Sequence, residues 1–583
     1  MKTPRRTKTA PRFRLIASLA LSLLALGTSA APQSLPTLDY TGRPGEKRPE
    51  LLEQRPPAAQ PVLPAAPLPP VATAESGAPA AGLMVRKIVV VGSTVLSEAE
   101  IARATAPYLD RSLTVDELET LRRELTLLYV RRGYINSGAV IPDQAVQDGQ
   151  VTLRVVEGEL TGIDIEGTKW FGKRFLHDRI ALGGGRPLNL APLQERLQLL
   201  QQDPRIQSLH AELRPGDRIG ESNLKVRVVE ARPVTVWLGF NNYQSPSIGA
   251  ERGLATIAHR NLSGHGDPLS LTYGYSDGLN PLLDVSYAVP LNARDTTLIL
   301  RYRHNDTKVV DDVFGPLDIV SKTQSAEVAI RQPLYRTLSQ ELALTLGAEY
   351  ELSRTWLAGE PFSFSAGVDN GRSVVVPIRF SQEWTYRTQR EVVAVRSRFS
   401  LGTGAFGATG NGEAGVPDGH FFAWLGQFQY ARILQFLDVQ LLARVDAQRS
   451  AEPLLPVEQF GIGGRYTVRG YRENLLVRDQ GVIASLETRV PLLQQQRWAD
   501  YLLFCQFVDY GQGENKSGGT PTPSDLASVG LGLRWAATPV KLPFELKLEA
   551  ETYWGHQLRR VTRTHSDLQD EGIHLQVAVS STF

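Results

Sequence analysis

The chain has 583 residues, with 63 Lys+Arg against 61 Asp+Glu and a single cysteine, Cys505. That length exceeds one ordinary globular core, and a formal charge of +2 gives no field that would favour nucleic acid. One cysteine excludes a disulfide framework within the chain and a cysteine-rich zinc module. Beyond the extreme N-terminus no apolar run is long enough for a spanning helix, but a transmembrane β-barrel stays open because its strands alternate and average to neutral hydropathy.

The first 30 residues read as a secretory signal. Lys2, Arg5, Arg6, Lys8, Arg12 and Arg14 precede an apolar stretch from Leu15 to Leu26, and small residues follow at Thr28 to Ala31. Residues 31–82 are dominated by proline and alanine, which predicts an extended, semi-rigid linker. Only Arg48 to Arg55 within it could form a short helix.

Two similar units are expected next, at 83–158 and 159–232. Val89-Val90-Val91-Gly92 and Ile163-Asp164-Ile165-Glu166-Gly167 both run a strand into a Gly turn. Arg154-Val155-Val156-Glu157 recurs as Arg227-Val228-Val229-Glu230, so the chain holds a duplicated unit. Thr114-Val115-Asp116-Glu117 is a capping box. Leu118, Leu121, Leu125 and Leu128 follow it at helical spacing. The second copy carries a helix from about Leu190 to Gln202. Each unit is expected to be β-α-α-β-β.

From 233 to 583 helical periodicity disappears and alternating segments of about ten residues take over. Sixteen strands are predicted, near 233–242, 252–260, 268–276, 283–290, 295–305, 323–331, 341–352, 374–384, 391–402, 420–431, 437–448, 480–490, 501–510, 526–536, 542–553 and 572–583. After the first hairpins, long and short connections alternate, as in an antiparallel outer-membrane barrel with both ends in the periplasm. The fold class is therefore mainly β, a 16-stranded barrel preceded by two small α+β units. The last strand sets Ile573, Leu575, Val577, Val579, Ser581 and Phe583 on one face and ends on the aromatic. Arg301, Arg303, Arg396, Arg398, Glu545 and Lys547 are expected to line a wet lumen.

The longest loop carries Val468-Arg469-Gly470-Tyr471, and the thirteenth strand carries Phe507-Val508-Asp509-Tyr510-Gly511. Period two puts Phe507 and Asp509 on one face. If the loop folds inward, Arg469 can fork to Asp509 and lie against Phe507, a combination that suits guanidinium. Gly470 would permit the reversal at the tip.

Three other motifs are read as structural. Gly167-Thr168-Lys169-Trp170-Phe171-Gly172-Lys173-Arg174 nearly spells a phosphate loop, but Arg174 stands where Ser or Thr is required. Gly274-Tyr275-Ser276-Asp277-Gly278 fits a hydrolase elbow, yet strand alternation follows it where a helix is needed. The nine histidines are scattered.

Together these features resemble the TpsB transporters of two-partner secretion, the POTRA-plus-barrel proteins that export haemagglutinins and haemolysins. The carriers are the duplicated units, the Val-Arg-Gly-Tyr loop, the Phe-x-Asp-x-Gly strand and the terminal Phe583. They also include Tyr129-Val130-Arg131-Arg132-Gly133-Tyr134 and Asn261-Leu262-Ser263-Gly264-His265-Gly266-Asp267. The resemblance implies a lid lock of Arg469, Gly470, Tyr471, Phe507 and Asp509, with Glu487 in the same network, and Phe583 as the membrane-insertion signal. It implies a non-enzymatic transporter in the outer membrane, its POTRA domains in the periplasm, that exports a large β-helical exoprotein without nucleotide hydrolysis. Its partners would be that exoprotein, the outer-membrane lipids and the barrel-assembly machinery, and it would act as a monomer. No cofactor, metal or nucleic acid is expected. The family's N-terminal plug would fall within residues 31–82. The alternatives are an assembly insertase of the same superfamily, which usually carries more periplasmic domains, and a passive porin or receptor.

Overall fold

The computed structural model describes residues 62–63, 82–496, 498–538, 545–561 and 567–583; the signal segment and the short helix at 48–55 lie outside them. The first unit runs β1 (Leu83–Val85), β2 (Lys87–Val91), α1 (Glu98–Thr105), β3 (Arg111–Leu113), α2 (Val115–Arg131), β4 (Gly138–Val140) and β5 (Gln150–Val156). Both helices start with capping boxes. In α2, Thr114 Oγ1 accepts from the Glu117 N–H at 3.3 Å while the Glu117 carboxylate accepts from the Thr114 N–H at 2.8 Å. Leu118, Leu121, Leu125 and Tyr129 then pack onto the sheet β2-β5-β4. The expected β-α-α-β-β order needs one correction here. An extra antiparallel pair, β1 with β3, buries Val85 and Leu113. Three-residue strands are too short to show alternation in a sequence.

The second unit is β6 (Glu159–Glu166), α3 (Lys173–Ala181), α4 (Leu190–Gln201), β7 (Ile206–Pro215) and β8 (Glu221–Glu230), with sheet order β6-β8-β7. The loop that resembles a phosphate site already holds an anion. The Glu230 carboxylate accepts from the Lys169, Trp170 and Phe171 N–H groups at 2.8, 2.8 and 3.1 Å. Glu157, its duplicate, accepts from the Thr94 N–H at 2.6 Å and from Tyr129 Oη at 2.7 Å. In each copy the repeated Val-Val-Glu ends by filling a turn with its own carboxylate.

The barrel strands are β9 (Val234–Asn241), β10 (Arg252–His259), β11 (Leu269–Ser276), β12 (Leu279–Pro290), β13 (Thr297–Lys308), β14 (Ile319–Arg336) and β15 (Gln340–Leu357). Then come β16 (Arg372–Val375 continued by Pro377–Arg387), β17 (Glu391–Gly402), β18 (Phe422–Ile433) and β19 (Gln440–Ser450). The lid loop contributes β20 (Phe460–Ile462) and β21 (Leu476–Arg478). The wall finishes with β22 (Gln480–Gln496), β23 (Ala499–Glu514), β24 (Asp525–Ala537), β25 (Glu545–Gln557) and β26 (Ile573–Thr582). All sixteen wall strands are antiparallel, and β26 closes on β9 from Gln576↔Asn241 to Thr582↔Thr235. Phe583 exchanges backbone hydrogen bonds with Val234, which fixes the seam to the last residue. Among the described residues the barrel wall has no open edge.

Several strands are longer than their sequence segments because proline hides continuation. Pro281 lies at a register shift of β12, and Pro333 at one of β14. Asp277 and Gly278 form the tight turn between β11 and β12, so the Gly-x-Ser-x-Gly segment is a hairpin. Along β13, Leu300 and Tyr302 are exposed toward lipid while Arg301 and Arg303 point inward. The expected lumen arginines are engaged rather than loose. Arg301 forks to Asp284, Arg303 reaches Glu349 at 2.7 Å and Arg396 lies 3.4 Å from Glu383.

The second unit is fixed to the barrel's inner mouth. Asp295, between β12 and β13, accepts from Arg179 of α3 at 3.0 and 2.7 Å and from Arg336 of β14 at 2.6 Å. The Gly172 N–H donates to the Gly264 carbonyl at 2.9 Å. Asp295→Ala should leave the barrel intact but free this joint. Spin-label distances between α3 and the β14–β15 turn should broaden from one narrow population to several.

Candidate functional site in the barrel lumen

Residues 451–479 leave the outer end of β19, turn into the lumen and return as β22. The small ribbon β20–β21, paired from Phe460↔Arg478 to Ile462↔Leu476, stiffens the base of this lid. Phe460, Ile462, Val468, Tyr471 and Leu476 bury against wall residues Leu425, Ile483 and Leu526. Wall glycines make this approach possible. A Cβ on Gly511 would stand 2.5 Å from Ile462 and 2.8 Å from Val468.

Register assembles the receiving patch. Ser485 of β22 sits opposite Asp509 of β23, and Glu487 sits opposite Phe507. Strand period two then presents all four side chains to the lumen. Arg469 closes over them. Asp509 Oδ2 accepts from Arg469 Nε at 2.7 Å and from the Arg469 N–H at 3.0 Å. Asp509 Oδ1 accepts from Arg469 Nη2 at 2.8 Å and from Ser485 Oγ at 2.6 Å. Four donors therefore fill one carboxylate. Arg469 Nη1 bonds Glu487, and the guanidinium carbon lies 3.7 Å from the Phe507 ring centroid. The Arg469 side chain is 4% exposed, so removal of either partner would strand a buried charge.

The neighbours hold the tip. Gly470 has φ +89°, and its flat backbone rests against Gly555, where a Cβ would meet the Gly555 carbonyl oxygen at 2.7 Å. Gln557 Nε2 donates to the Gly470 carbonyl at 2.6 Å. Tyr471 is fully buried, its hydroxyl 2.8 Å from the Ala527 and Arg559 carbonyls and accepting from the Arg559 N–H at 3.2 Å. The structure thus brings together all six residues read from the sequence around this loop.

It also adds contacts that the sequence did not disclose. Arg465 forks to Glu551 of β25 at 3.1 Å on both nitrogens and lies 4.0 Å over Tyr553. Arg472 forks to Asp570 at 2.6 and 2.7 Å. At the lid's other end, Glu458 accepts from Arg379 at 2.7 and 3.1 Å, and Arg379 also bonds Glu349. Glu473 accepts from the Arg465 N–H at 2.6 Å; burial pushes its carboxyl up to about 7. A usable signal existed for Arg465, which lies four residues before Arg469, whereas Glu551 carries no motif. Cys505 is buried beside Phe507 and Tyr553, and no cluster of metal-ligating side chains occurs among the described residues.

Sequence comparison supplies the family. The haemolysin secretion/activation protein ShlB/FhaC/HecB family matches residues 220–535, and the ShlB-type POTRA domain matches residues 83–158. The chain belongs to this family. It is similar to the outer membrane transporter CdiB of Escherichia coli O6:K15:H31 (strain 536 / UPEC), at 26% identity over 413 residues, 68% of this chain and 67% of that protein. It is 30% identical over 228 residues to the hemolysin transporter protein ShlB of Serratia marcescens, 39% of this chain and 38% of that protein. The solved structure of CdiB from Escherichia coli shares the fold, with TM-score 0.64 and 22% identity over 91% of this chain and 94% of that one. The protein is an outer-membrane transporter of the TpsB type, with POTRA domains on the periplasmic side.

Two tests follow from this geometry. Arg469→Ala should weaken lid seating by about 3 kcal/mol, and Gly470→Ala should act similarly because its Cβ has no room. Both should raise single-channel current in planar bilayers, while heat-modifiable gel mobility shows a folded barrel. For Glu473, a carboxyl raised on seating favours the protonated form, so seating is strongest at low pH and weakens as pH rises from about 4.5 through about 7. Lid protection from protease should fall between pH 5 and 8, and Glu473→Gln should flatten that dependence.

Proposed function

We propose that this transporter recognises an unfolded exoprotein in the periplasm and passes it through the barrel, with the Arg469 lid as the resting closure. The observation that carries the reading is the buried fork of Arg469 on Asp509 and Glu487, made by an outer loop tucked inside a closed wall. A loop that fills the lumen this way has to shift before a chain can pass. Its seat is built from discrete ion pairs that can break and re-form.

Recognition falls to the POTRA sheets. The strand orders β2-β5-β4 and β6-β8-β7 leave edges on each domain that can take an extended segment as an added strand. Backbone hydrogen bonds then give affinity while side-chain pockets select sequence. Transport needs no nucleotide, since folding of the exoprotein outside biases movement outward. Phe583, exposed at the periplasmic rim, serves as the signal for the barrel-assembly machinery, and the inserted protein works as a monomer among the outer-membrane lipids.

The test is co-expression with the cognate exoprotein and assay of the medium. Arg469→Ala and Asp509→Ala should each lower secretion at least about tenfold, the order set by a few kcal/mol of lost lid positioning, with unchanged amounts of folded barrel in the outer membrane. Wild-type secretion by both variants would defeat the lock.

A further inference from the structure

The loop that resembles a phosphate site sends two neighbouring aromatic rings in opposite directions. Phe171 is buried and stacks on Phe175 with ring centroids 5.0 Å apart, whereas Trp170 is 51% exposed. Glu230, by accepting from three successive N–H groups of this loop, holds the backbone from which both rings project. The Trp170 ring reaches the barrel rim and meets His259 edge-on, centroids 5.9 Å apart. His259 ends β10 on the same face as Ile257, which is 50% exposed on the lipid-facing side of the wall. Two residues of strand span about 7 Å, so Trp170 stands at the inner border of the apolar belt. The turn that follows exposes Leu262 at the same rim.

Charge around the indole is one-sided. Lys169, Lys173 and Arg174 are exposed, and the Arg174 side chain, 93% exposed, lies 3.5 Å from a single carboxylate, Asp178. Lys173 and Arg174 open α3, whose first turn holds no acidic residue. Cations there oppose the helix dipole, so the helix itself gains nothing from them.

We infer that this face of the second POTRA domain is a lipid-binding surface. Trp170 sits at the headgroup level of the periplasmic leaflet, and Lys169, Lys173 and Arg174 meet the phosphates of anionic phospholipids. Indole suits the place because its apolar body faces the acyl boundary while its N–H stays among the wet headgroups. Basic residues beside an exposed aromatic are the composition of an interfacial anchor. Trp170 continues the lipid-covered side of β10, which assigns the patch to lipid rather than to a protein. The membrane then becomes a third support for the joint made by Asp295 and Gly264. This assignment rests on the outer-membrane placement and not on the export reading.

The probe is a lipid nanodisc holding the full-length protein, made from phosphatidylethanolamine with or without phosphatidylglycerol. The chain has eight tryptophans, so the emission of Trp170 is taken as the wild type minus Trp170→Phe. Brominated lipid should quench that difference signal at least about threefold. Asp295→Ala loosens the joint, and the quenched and unquenched lifetimes of Trp170 then give the docked-to-free ratio. Each cation near an anionic surface shifts such a ratio about fivefold. Adding phosphatidylglycerol should therefore raise it at least about fivefold, and Lys169→Gln/Lys173→Gln/Arg174→Gln in the same background should remove that response. Heat-modifiable mobility checks that each barrel is folded. A Trp170 signal untouched by brominated lipid, a ratio indifferent to lipid charge, or a signal that shifts only when the exoprotein is added would overturn the assignment, the last by giving the patch to cargo.

Discussion

A guanidinium taken out of bulk water must be fully paired, and the lumen of this barrel is organised by that requirement. Arg469 reaches its place because Ser485, Glu487, Phe507 and Asp509 are brought to one patch by the register of β22 on β23. Sliding one strand of that pair by one residue would turn its two members of the patch toward lipid and leave the other two facing the lumen. The lid's position therefore depends on strand pairing in the wall, and the pairing in turn is fixed by alternation over long strands. The same pattern recurs around the loop, with Arg465 on Glu551, Arg472 on Asp570 and Arg379 on Glu458.

Such pairs contribute little net stability, because desolvation offsets most of their attraction. They specify position instead. The apolar cluster around Phe460, Val468 and Tyr471 supplies the burial that seats the lid, and the ion pairs select one orientation within it. Glycines set how closely the two can meet. Gly470 lies flat on Gly555, and Gly511 leaves room for Ile462 and Val468. A lid fitted this tightly against a wall responds to single atoms, as cores do.

The barrel and the Arg469 contact were legible in the sequence because both rest on period two. Alternation identifies a strand, and the spacing Phe507–Asp509 identifies a shared face. What stayed hidden depends on pairing between distant strands. Arg465 and Glu551 are 86 positions apart, and Arg379 and Glu458 are 79 apart. Neither spacing leaves a trace in a single sequence. The lumen arginines illustrate the same limit, since alternation shows that Arg303 faces inward but not that Glu349 waits two strands away. Conversely, the apparent phosphate loop was explained by its own domain. Its N–H groups converge as such loops require, and Glu230 occupies the place of the anion.

Both ends of the pore use one device, a carboxylate held by arginine, in two different media. Asp509 is fully buried on the lumen wall, while the Asp295 side chain at the inner mouth is 29% exposed. Coulomb attraction at 4 Å falls from about 4 kcal/mol at an effective dielectric of 20 to about 1 kcal/mol in water, so the inner joint is the weaker of the two. Arg336, its second partner, is 36% exposed and can turn to Glu341 without leaving the joint's surroundings. Opening the lid strands Arg469 and Asp509, both almost wholly buried, whereas at the inner joint the Asp295 carboxylate stays within reach of water. The more exposed contact at the inner mouth is thus the more yielding of the two, and the tighter seat is the one buried on the lumen wall.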